Sequence, residues 1–241
     1  MSKAQEELFT QAISKTQGLI LICGPTGSGK TTTLYSALNH LNKHSVNISS
    51  IEDPVEILLK GINQVSINNK SGLSFSTCLR AFMRQDPDII MLGEIRDAET
   101  CDIAVRAALT GHLVFATVHA NSAIATIDRL ANLGVNEKSL ITCLNMIISQ
   151  RLLRMTCQNC ASNAGSASCG NCHQGYKGRH GVYEILEFTD RYKHDLLAIT
   201  DKNFTAVNPP TNHIDLEQAA YNLESNNITD RKEINRVLNI V

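Results

Sequence analysis

The sequence predicts an α/β fold in which strands alternate with helices, and three observations support this prediction. Apolar runs of strand length recur at residues 18–23, 89–92 and 113–118, with helix-like segments between them. A glycine-rich turn joins the first run to the helix that follows it. The chain has 241 residues, of which 43% are hydrophobic and 19% charged, so it can bury a core and does not fit disordered, collagen-like or coiled-coil classes.

The first half of the chain alternates between the two patterns. Apolar side chains at helical spacing predict helices, and continuous apolar runs predict strands buried on both faces. The helix at 74–84 ends ahead of Asp86-Pro87, because a residue before proline disfavours helical geometry. The predicted elements are, in order, a helix at 4–16, a strand at 18–23, a helix at 32–41, strands at 46–51 and 62–67, a helix at 74–84, a strand at 89–92, a helix at 98–109 and a strand at 113–118.

After about residue 120 the pattern becomes mainly helical. Helices are predicted at 122–133 and 137–154, followed by a short segment rich in Cys, Gly, Ser and Asn. Strand character returns at 181–188, and the prolines near residue 209 predict a loop over 200–212. Two closing helices are expected at 215–223 and 229–238, the second with Thr229-Asp230 and Glu233 placed like a capping box.

Charge and hydropathy exclude two classes of partner for the chain as a whole. Lys and Arg number 22 and Asp and Glu 23, giving a net charge of −1, so no overall field draws the protein to nucleic acid or membrane. No apolar run approaches the roughly 18 residues that span a bilayer. The first fifteen residues have no signal-peptide core, so we expect a soluble chain in a reducing cytosol, with thiols that are buried or bind metal.

A phosphate-binding loop is the most specific motif. It follows a predicted strand, precedes a predicted helix and consists of Gly24, Pro25, Thr26, Gly27, Ser28, Gly29, Lys30, Thr31 and Thr32. Glycines let backbone N–H groups turn towards phosphate oxygens, Lys30 reaches the outer phosphates, and the Thr31 hydroxyl can ligate Mg²⁺. The Asn-Lys-x-Asp guanine signature is absent, which favours ATP over GTP.

Two carboxylates follow predicted strands and are candidates for hydrolysis. Residues 88–94 resemble a Walker B segment in which Gly93 replaces the usual aspartate, so Glu94 is assigned to the magnesium side, through water. Glu52 begins a cluster of three carboxylates within residues 52–56 and is the candidate general base or water positioner. The alternative is that the cluster only caps a turn and that Glu94 is a solvated loop residue.

Arginines and histidines are candidates for contacts with the γ-phosphate. Arg80, Arg84 and Arg96 are of the residue type suited to developing phosphate charge, but each could equally be a surface ion-pair partner. His119 ends a predicted strand and can act as a γ-phosphate sensor. His112 precedes that strand, where a satisfied polar group is the competing interpretation.

Four cysteines predict a metal site. Cys157, Cys160, Cys169 and Cys172 form two CxxC pairs, and four thiolates satisfy tetrahedral zinc. A disulfide, an iron–sulfur cluster, a redox motif and a nucleic-acid reader are weaker alternatives. Residues 138–183 contain no Asp or Glu, so basic side chains there either balance the thiolate charge or face an acidic partner or anionic lipid. The basic residues are Lys138, Arg151, Arg154, Lys177 and Arg179, and the remaining cysteines, expected in the core, are Cys23, Cys78, Cys101 and Cys143.

The predicted organisation has three parts. Residues 1–150 form a nucleotide-binding core, residues 151–183 a zinc-binding module, and residues 184–241 a strand and helical tail packed on the core.

Several segments together resemble the secretion ATPases of type II secretion and type IV pilus assembly systems. The resemblance extends over nearly the whole chain and is carried by residues 24–35, 51–56, 79–88, 93–97, 110–112, 117–119, 150–153 and 175–184. It implies a RecA-like core and a homo-hexameric ring with ATP between subunits. It also implies a cytoplasmic motor, peripheral at the inner membrane, that acts on an inner-membrane platform protein and cytoplasmic assembly proteins. We expect no nucleic-acid partner, because the net charge is −1 and the cysteine segment does not interleave basic and aromatic residues beyond Tyr176.

The resemblance also assigns roles to individual residues. Glu52 is the base, Glu94 the magnesium-side carboxylate and His119 a γ-phosphate contact. We assign Arg80, Arg84 and Arg96 to nucleotide sensing or subunit contacts on their residue type, because the arginine fingers of the family lie partly outside this chain. Members of this family usually carry an N-terminal domain that packs over the nucleotide and supplies part of the site. Two alternatives therefore stay open: a motor that hydrolyses ATP, or a nucleotide-binding subunit or fragment that needs such a domain or a partner for turnover.

Overall fold

One sheet organises the structure, a computed structural model that describes residues 1–163, 169–170, 172–199, 204–211 and 213–240. Its strands among these residues are β1 (Gly18–Cys23), β2 (Ile48–Glu52), β3 (Asn63–Ser66), β4 (Ile89–Leu92), β5 (Leu113–Val118), β6 (Leu144–Thr156) and β7 (Tyr176–Glu187). The order across the sheet is β3-β2-β4-β5-β1-β6-β7, and all neighbours are parallel except β6 and β7. The predicted α/β fold is therefore confirmed.

Helices pack on both faces of the sheet. Among the described residues they are α1 (Lys3–Ile13), α2 (Lys30–Leu41), α3 (Phe75–Phe82), α4 (Ala98–Leu109), α5 (Ala123–Asn132), α6 (Glu137–Cys143), α7 (Asp190–Leu197), α8 (Leu216–Ser225) and α9 (Arg231–Leu238). Most of these helices have an N-cap residue whose side chain accepts a hydrogen bond from a backbone N–H of the first turn. Examples are Ser74, Asp97 and Ser122. In that part of the chain, no helix combines the length and the hydropathy needed to cross a membrane.

The alternation of side chains along β1 divides the core into two layers. Leu19 and Leu21 point to the layer formed with α3, α4, α5 and α6, whereas Ile20 and Ile22 point to the layer formed with α1 and α2. Because β1 is buried on both sides, its continuous apolar run is what a central parallel strand requires. Parallel pairing also brings the carboxyl ends of β1, β2, β4 and β5 to one edge of the sheet, where α/β folds bind ligands.

The predicted helix at 137–154 is wrong. The helix α6 ends at Cys143, and the chain continues as β6, which pairs with β1 on one side and β7 on the other. Periodicity cannot distinguish a short apolar run in a buried strand from one in a buried helix, and the free edge of β1 decides for the strand. The predicted boundary at residue 150 thus falls inside β6.

Other differences lie in the second half of the chain. Strand β7 starts at Tyr176 rather than at residue 181, and α7 was not predicted. Within the predicted loop at 200–212, Phe204–Ala206 forms a short 3₁₀ turn, while residues 200–203 and 212 lie outside the described residues. At the start of α9, Asp230 accepts a hydrogen bond from the N–H of Glu233, but the Glu233 side chain turns to Arg154 instead of completing a capping box.

The helical tail packs on the outer half of the β6–β7 hairpin through a small third core. Its apolar members are Leu153, Val182, Leu216, Ala220 and Ile234. Beside them, the fully buried Glu233 accepts hydrogen bonds from Arg154 at 2.6 Å and Arg236 at 2.7 Å. Burial alone would raise the pKa of Glu233, but the hydrogen bonds from both arginines outweigh it and lower the pKa to about 2.

We predict that Glu233→Gln lowers the free energy of unfolding by about 2 kcal/mol at neutral pH, because it removes hydrogen bonds between charged groups. A lowered pKa means that this carboxylate stabilises the fold above its ordinary value of 4.5 and loses that contribution as the pH falls towards 2. The variant should therefore show a flatter dependence of stability on pH in that range, measured by urea unfolding. Glu224→Gln is the control, since its partner Arg231 is exposed, and an equal effect of both variants would contradict the prediction.

Candidate functional site

The phosphate loop lies between β1 and α2, at the carboxyl edge of the sheet. Gly29 precedes the helix with a φ of 86°, a left-handed conformation that glycine adopts without strain. Gly24 is required for a different reason, because a Cβ there would lie 2.5 Å from the carbonyl oxygen of Gln150. The local sequence thus permits a sharp turn pressed closely against β6.

Lys30 lies at the mouth of this loop. Its Nζ donates hydrogen bonds to the carbonyl oxygens of Gly24 at 2.9 Å and Pro25 at 3.1 Å. Burial lowers the pKa of Lys30, while the charge of nearby Glu94 acts in the opposite direction. The ammonium is therefore held by the backbone at the start of the phosphate loop.

The Ser28 hydroxyl also fits a phosphate ligand. Within the described part of the chain, its oxygen is buried and has no hydrogen-bond partner. Buried polar groups are normally paired, so an unpaired one in this loop is consistent with an acceptor supplied from outside the chain. Thr31, in the first turn of α2, is half-buried, as a magnesium-ligating hydroxyl would be.

Gln150, on β6, holds the phosphate loop and the first turn of α2 through hydrogen bonds. Its Nε2 donates to the carbonyl oxygen of Ser28 at 2.8 Å, and its Oε1 accepts a hydrogen bond from Thr33, also at 2.8 Å. The side chain is buried, so both contacts are shielded from water. Sequence reasoning gave Gln150 no role beyond its place in the segment 150–153.

Arg151 joins the phosphate loop to the segment after β5. Its guanidinium donates to the carbonyl oxygens of Gln150 at 3.0 Å and Asn121 at 2.8 Å. Burial lowers the pKa of Arg151, whereas electrostatic interactions with Cys23 and Glu184 act to raise it. Arg151 therefore neighbours the site, although the sequence suggested only that it adds positive charge near the cysteines.

Glu94, His119 and Arg96 come together at the ends of two adjacent strands. Glu94 follows β4, and its carboxylate lies 2.6 Å from Arg96 Nε and 3.0 Å from His119 Nε2. Arg96 also lies 3.5 Å from Asp53. A Cβ at Gly93 would lie 3.3 Å from the Cα of Glu52, which gives a steric reason for glycine at the position of the usual Walker B aspartate.

Glu52 ends β2 and is almost completely buried, with 2% of its surface exposed. One carboxylate oxygen accepts a hydrogen bond from the Tyr35 hydroxyl. The other accepts from Ser50 at 2.6 Å and from Gln64 at 3.1 Å. Three neutral donors thus fill three of the roughly four acceptor positions of a carboxylate, leaving about one for a water molecule.

Three candidate residues, Arg80, Arg84 and His112, lie away from the phosphate loop and Glu94. Arg80 pairs with Glu99 at 2.6 Å on the exposed surface, and Arg84 is exposed in the turn after α3. His112 lies 3.0 Å from the carbonyl oxygen of Ala107, at the start of β5 and hence at the edge of the sheet opposite the phosphate loop. The structure therefore shows His112 as a satisfied polar group.

A cavity of about 320 Å³ opens beside the phosphate loop. Arg129, on α5, and Asn121, in the segment after β5, line this cavity, and sequence reasoning gave neither residue a role. The lining residues are Gly24, Pro25, His119, Ala120, Asn121, Ala125 and Arg129.

The four cysteines of the predicted metal site converge at the tip of the β6–β7 hairpin. Their sulfur atoms all lie within 4.8 Å of one another, and three of the pairs are separated by 3.5 to 3.7 Å. Tetrahedral zinc with Zn–S bonds near 2.3 Å requires sulfur atoms about 3.8 Å apart. The arrangement therefore fits a zinc ion held by four thiolates.

The cysteines expected in the core are all buried, namely Cys23, Cys78, Cys101 and Cys143.

The basic residues of the segment 138–183 do not form one patch. Arg151 is turned towards the phosphate loop, and Arg154 stacks on Tyr176 at 4.0 Å while pairing with Glu233. Lys177 and Arg179 are exposed on β7. At least two of these charges thus have partners away from the cysteines.

Comparisons with known proteins agree with these features. A family model described as "Type II/IV secretion system protein" matches residues 1–236. The chain is 48% identical over 239 residues to the protein transport protein HofB homolog of Haemophilus influenzae, covering 99% of this chain and 47% of that protein. It is 57% identical over 156 residues to the type IV pilus assembly ATPase PilB of Pseudomonas aeruginosa, covering 65% and 28% respectively. The chain thus spans less than half of either relative.

Solved structures show the same fold. The pilus retraction motor PilT with bound ADP superposes with a TM-score of 0.71 at 31% identity, covering 95% of this chain and 63% of that one. The Legionella pneumophila ATPase DotB gives a TM-score of 0.76 at 23% identity, covering 95% and 62%. Both support a RecA-like arrangement of the sheet and helices.

We predict that Gln150→Met weakens nucleotide binding about tenfold, because it leaves the Ser28 carbonyl and the Thr33 hydroxyl without their buried partner. Titration with a fluorescent ATP analogue measures the change in Kd. Gln218→Met, at an exposed position of α8, is the matched control and should leave Kd unchanged. Equal affinity of the Gln150 variant and the wild type would show that the loop does not depend on this support.

Proposed function

Because the chain belongs to the type II/IV secretion system protein family, we propose that it is the ATP-hydrolysing part of a cytoplasmic hexameric motor. The motor powers assembly of a type II secretion pseudopilus or a type IV pilus. The observation that carries this proposal is the phosphate loop with Lys30 at its mouth and Glu94 close by. The bound ADP in the structure of PilT supports an adenine nucleotide as the ligand.

Nucleotide binding is assigned to the loop and to the first turn of α2. Backbone N–H groups of residues 24–29 and the helix N-terminus favour phosphate oxygens, and Lys30 neutralises the outer phosphates. Thr31 would hold Mg²⁺ through its hydroxyl, and Glu94 would hold it through a water molecule. The ion would supply positive charge that compensates the phosphate charge during transfer.

Hydrolysis is assigned to the carboxylate of Glu52 and to cationic or polar side chains around the γ-phosphate. Glu52 uses its remaining acceptor position to orient and deprotonate the attacking water. His119 contacts the γ-phosphate, and Arg96 holds the Glu94 carboxylate at 2.6 Å. Arg80 and Arg84 are exposed and so are assigned to contacts with a neighbouring subunit.

The wider assembly is proposed by analogy with the family. The ring acts on an inner-membrane platform protein and on cytoplasmic assembly proteins, and its association with the membrane is peripheral, through those partners. The net charge of −1 supports the absence of a nucleic-acid ligand.

The four-cysteine cluster is proposed to hold zinc through Cys157, Cys160, Cys169 and Cys172. Zinc would fasten the end of the hairpin, which has little apolar core of its own beyond the tail helices.

We expect the purified chain to contain about one zinc ion, because the sulfur separations match a tetrahedral site. Elemental analysis by mass spectrometry measures this content. Cys160→Ser should lose the ion, whereas Cys78→Ser, which removes a core thiol, should keep it. A zinc-free wild type after reconstitution with zinc would contradict the assignment.

A second candidate function is a nucleotide-binding subunit with little turnover by itself. It is favoured by the coverage of the relatives, of which this chain spans 28% and 47%. In this case a further domain or a partner supplies the missing part of the catalytic site.

The rate of Mg²⁺-dependent ATP hydrolysis as a function of protein concentration separates the two candidates. The motor predicts a rate per subunit that rises with concentration, because the site forms between subunits. Lys30→Ala should abolish turnover and Glu52→Gln should lower it about a hundredfold while nucleotide still binds. Lys43→Ala, at an exposed lysine, is the control.

Unchanged turnover in Lys30→Ala would refute the motor. Zero turnover of the wild type at every concentration, with nucleotide bound, would instead support the second candidate.

A further inference from the structure

The loop between β2 and β3 is held to the protein mainly through its backbone. In this loop, residues 53–62, the N–H groups of Glu56 and Ile57 donate to the Tyr35 hydroxyl at 3.2 and 3.4 Å. The N–H of Leu59 donates to Gln64 Oε1 at 2.6 Å. In contrast, the side chains of Ile57 and Leu58 are 60% and 85% exposed, so apolar packing fixes this part of the loop only weakly.

Tyr35 and Gln64, which accept these hydrogen bonds from the loop, also hold the buried carboxylate of Glu52. The Tyr35 hydroxyl donates to one carboxylate oxygen, and Gln64 Nε2 donates to the other at 3.1 Å. The amide of Gln64 additionally donates to the carbonyl oxygen of Ile57 at 3.0 Å. Each side chain therefore bridges Glu52 and the loop.

The chemistry of a hydroxyl gives this bridge a fixed direction. A phenol has one proton to donate and two lone pairs to accept with. Because the proton of Tyr35 goes to Glu52, the lone pairs of the same oxygen face the loop N–H groups. Burial and the hydrogen bond to Glu52 raise the pKa of Tyr35, which keeps the phenol protonated as the bridge requires.

We propose that Tyr35 and Gln64 are positioning residues that tie the orientation of the Glu52 carboxylate to the conformation of the loop at residues 53–62. A displacement of the loop withdraws the N–H donors that hold the Tyr35 hydroxyl and Gln64 Oε1, together with the Ile57 carbonyl that accepts from Gln64. Tyr35 and Gln64 are then free to move, and the carboxylate that they hold is released. Conversely, a change at Glu52 loosens residues 56–59, because Tyr35 and Gln64 link them to its carboxylate. This inference rests on the proposed role of Glu52 only for its consequence in catalysis, because the coupling itself exists without turnover.

Hydrogen exchange of the full chain, followed by mass spectrometry, tests the coupling directly. In Tyr35→Phe the amides of Glu56 and Ile57 lose their acceptor and should exchange about tenfold faster. Glu52→Gln should have a similar effect on residues 56–59, because an amide accepts on one side only and cannot satisfy both Tyr35 and Gln64.

Tyr221→Phe is the matched control. It removes an equivalent bond, from a tyrosine hydroxyl to Glu217 at 2.6 Å, on the exposed face of α8. The control should leave exchange at residues 56–59 unchanged. Unaltered exchange of these residues in Glu52→Gln would overturn the proposal.

Turnover provides a second readout in the hydrolysing assembly. Tyr35→Phe should lower kcat about tenfold with little change in KM, and it should have no further effect in the Glu52→Gln background. Additive losses would contradict positioning through Glu52. If turnover is absent throughout, the exchange experiment still decides the inference, so failure of the proposed function and failure of the coupling remain distinguishable.

Discussion

The close contact between β6 and the phosphate loop is the constraint on which the rest of the site depends. Gln150 holds the Ser28 carbonyl, and Gly24 lies so near the Gln150 carbonyl that a Cβ does not fit between them. The loop can therefore take its shape only when β6 has paired with β1. Arg151 extends the same support to Asn121 and so to the wall of the cavity. Stability of the sheet and geometry of the site are consequently set by the same strand.

Strand β6 also connects the phosphate loop to the cysteine cluster. Cys157 follows Gln150 by seven residues, about 23 Å along an extended chain. Between them, Leu153 and Arg154 pack against the tail helices, where Glu233 gathers two arginines in a buried position. The tail thus braces the outer half of the hairpin, which would otherwise project from the sheet with little core.

A second network surrounds Glu52 at the end of β2, which is separated from β6 by three strands in the sheet order. Within the part of the chain that the structure describes, its carboxylate accepts no hydrogen bond from an arginine or a lysine and is held instead by Tyr35, Ser50 and Gln64. Neutral donors orient a carboxylate without neutralising it, which suits a group proposed to take a proton from water. Glu94 is held differently, by Arg96 and His119, and is proposed to face a metal ion. The two carboxylates have separate environments because they end different strands.

The sequence by itself determined the features that local patterns specify: the phosphate loop, the quartet of cysteines, and the strands and helices of the first half of the chain. Each depends on spacing within a few residues, so no distant partner is needed to recognise it. Only the tertiary structure decided that residues 144–156 form a strand, since the apolar run fits both a helix and a strand until β1 offers its edge. It also decided the positions of Gln150, Arg151 and Arg129, and the donors to Glu52. Apart from Ser50, these contacts join residues far apart in sequence, and no periodicity of the chain encodes which distant side chains will meet.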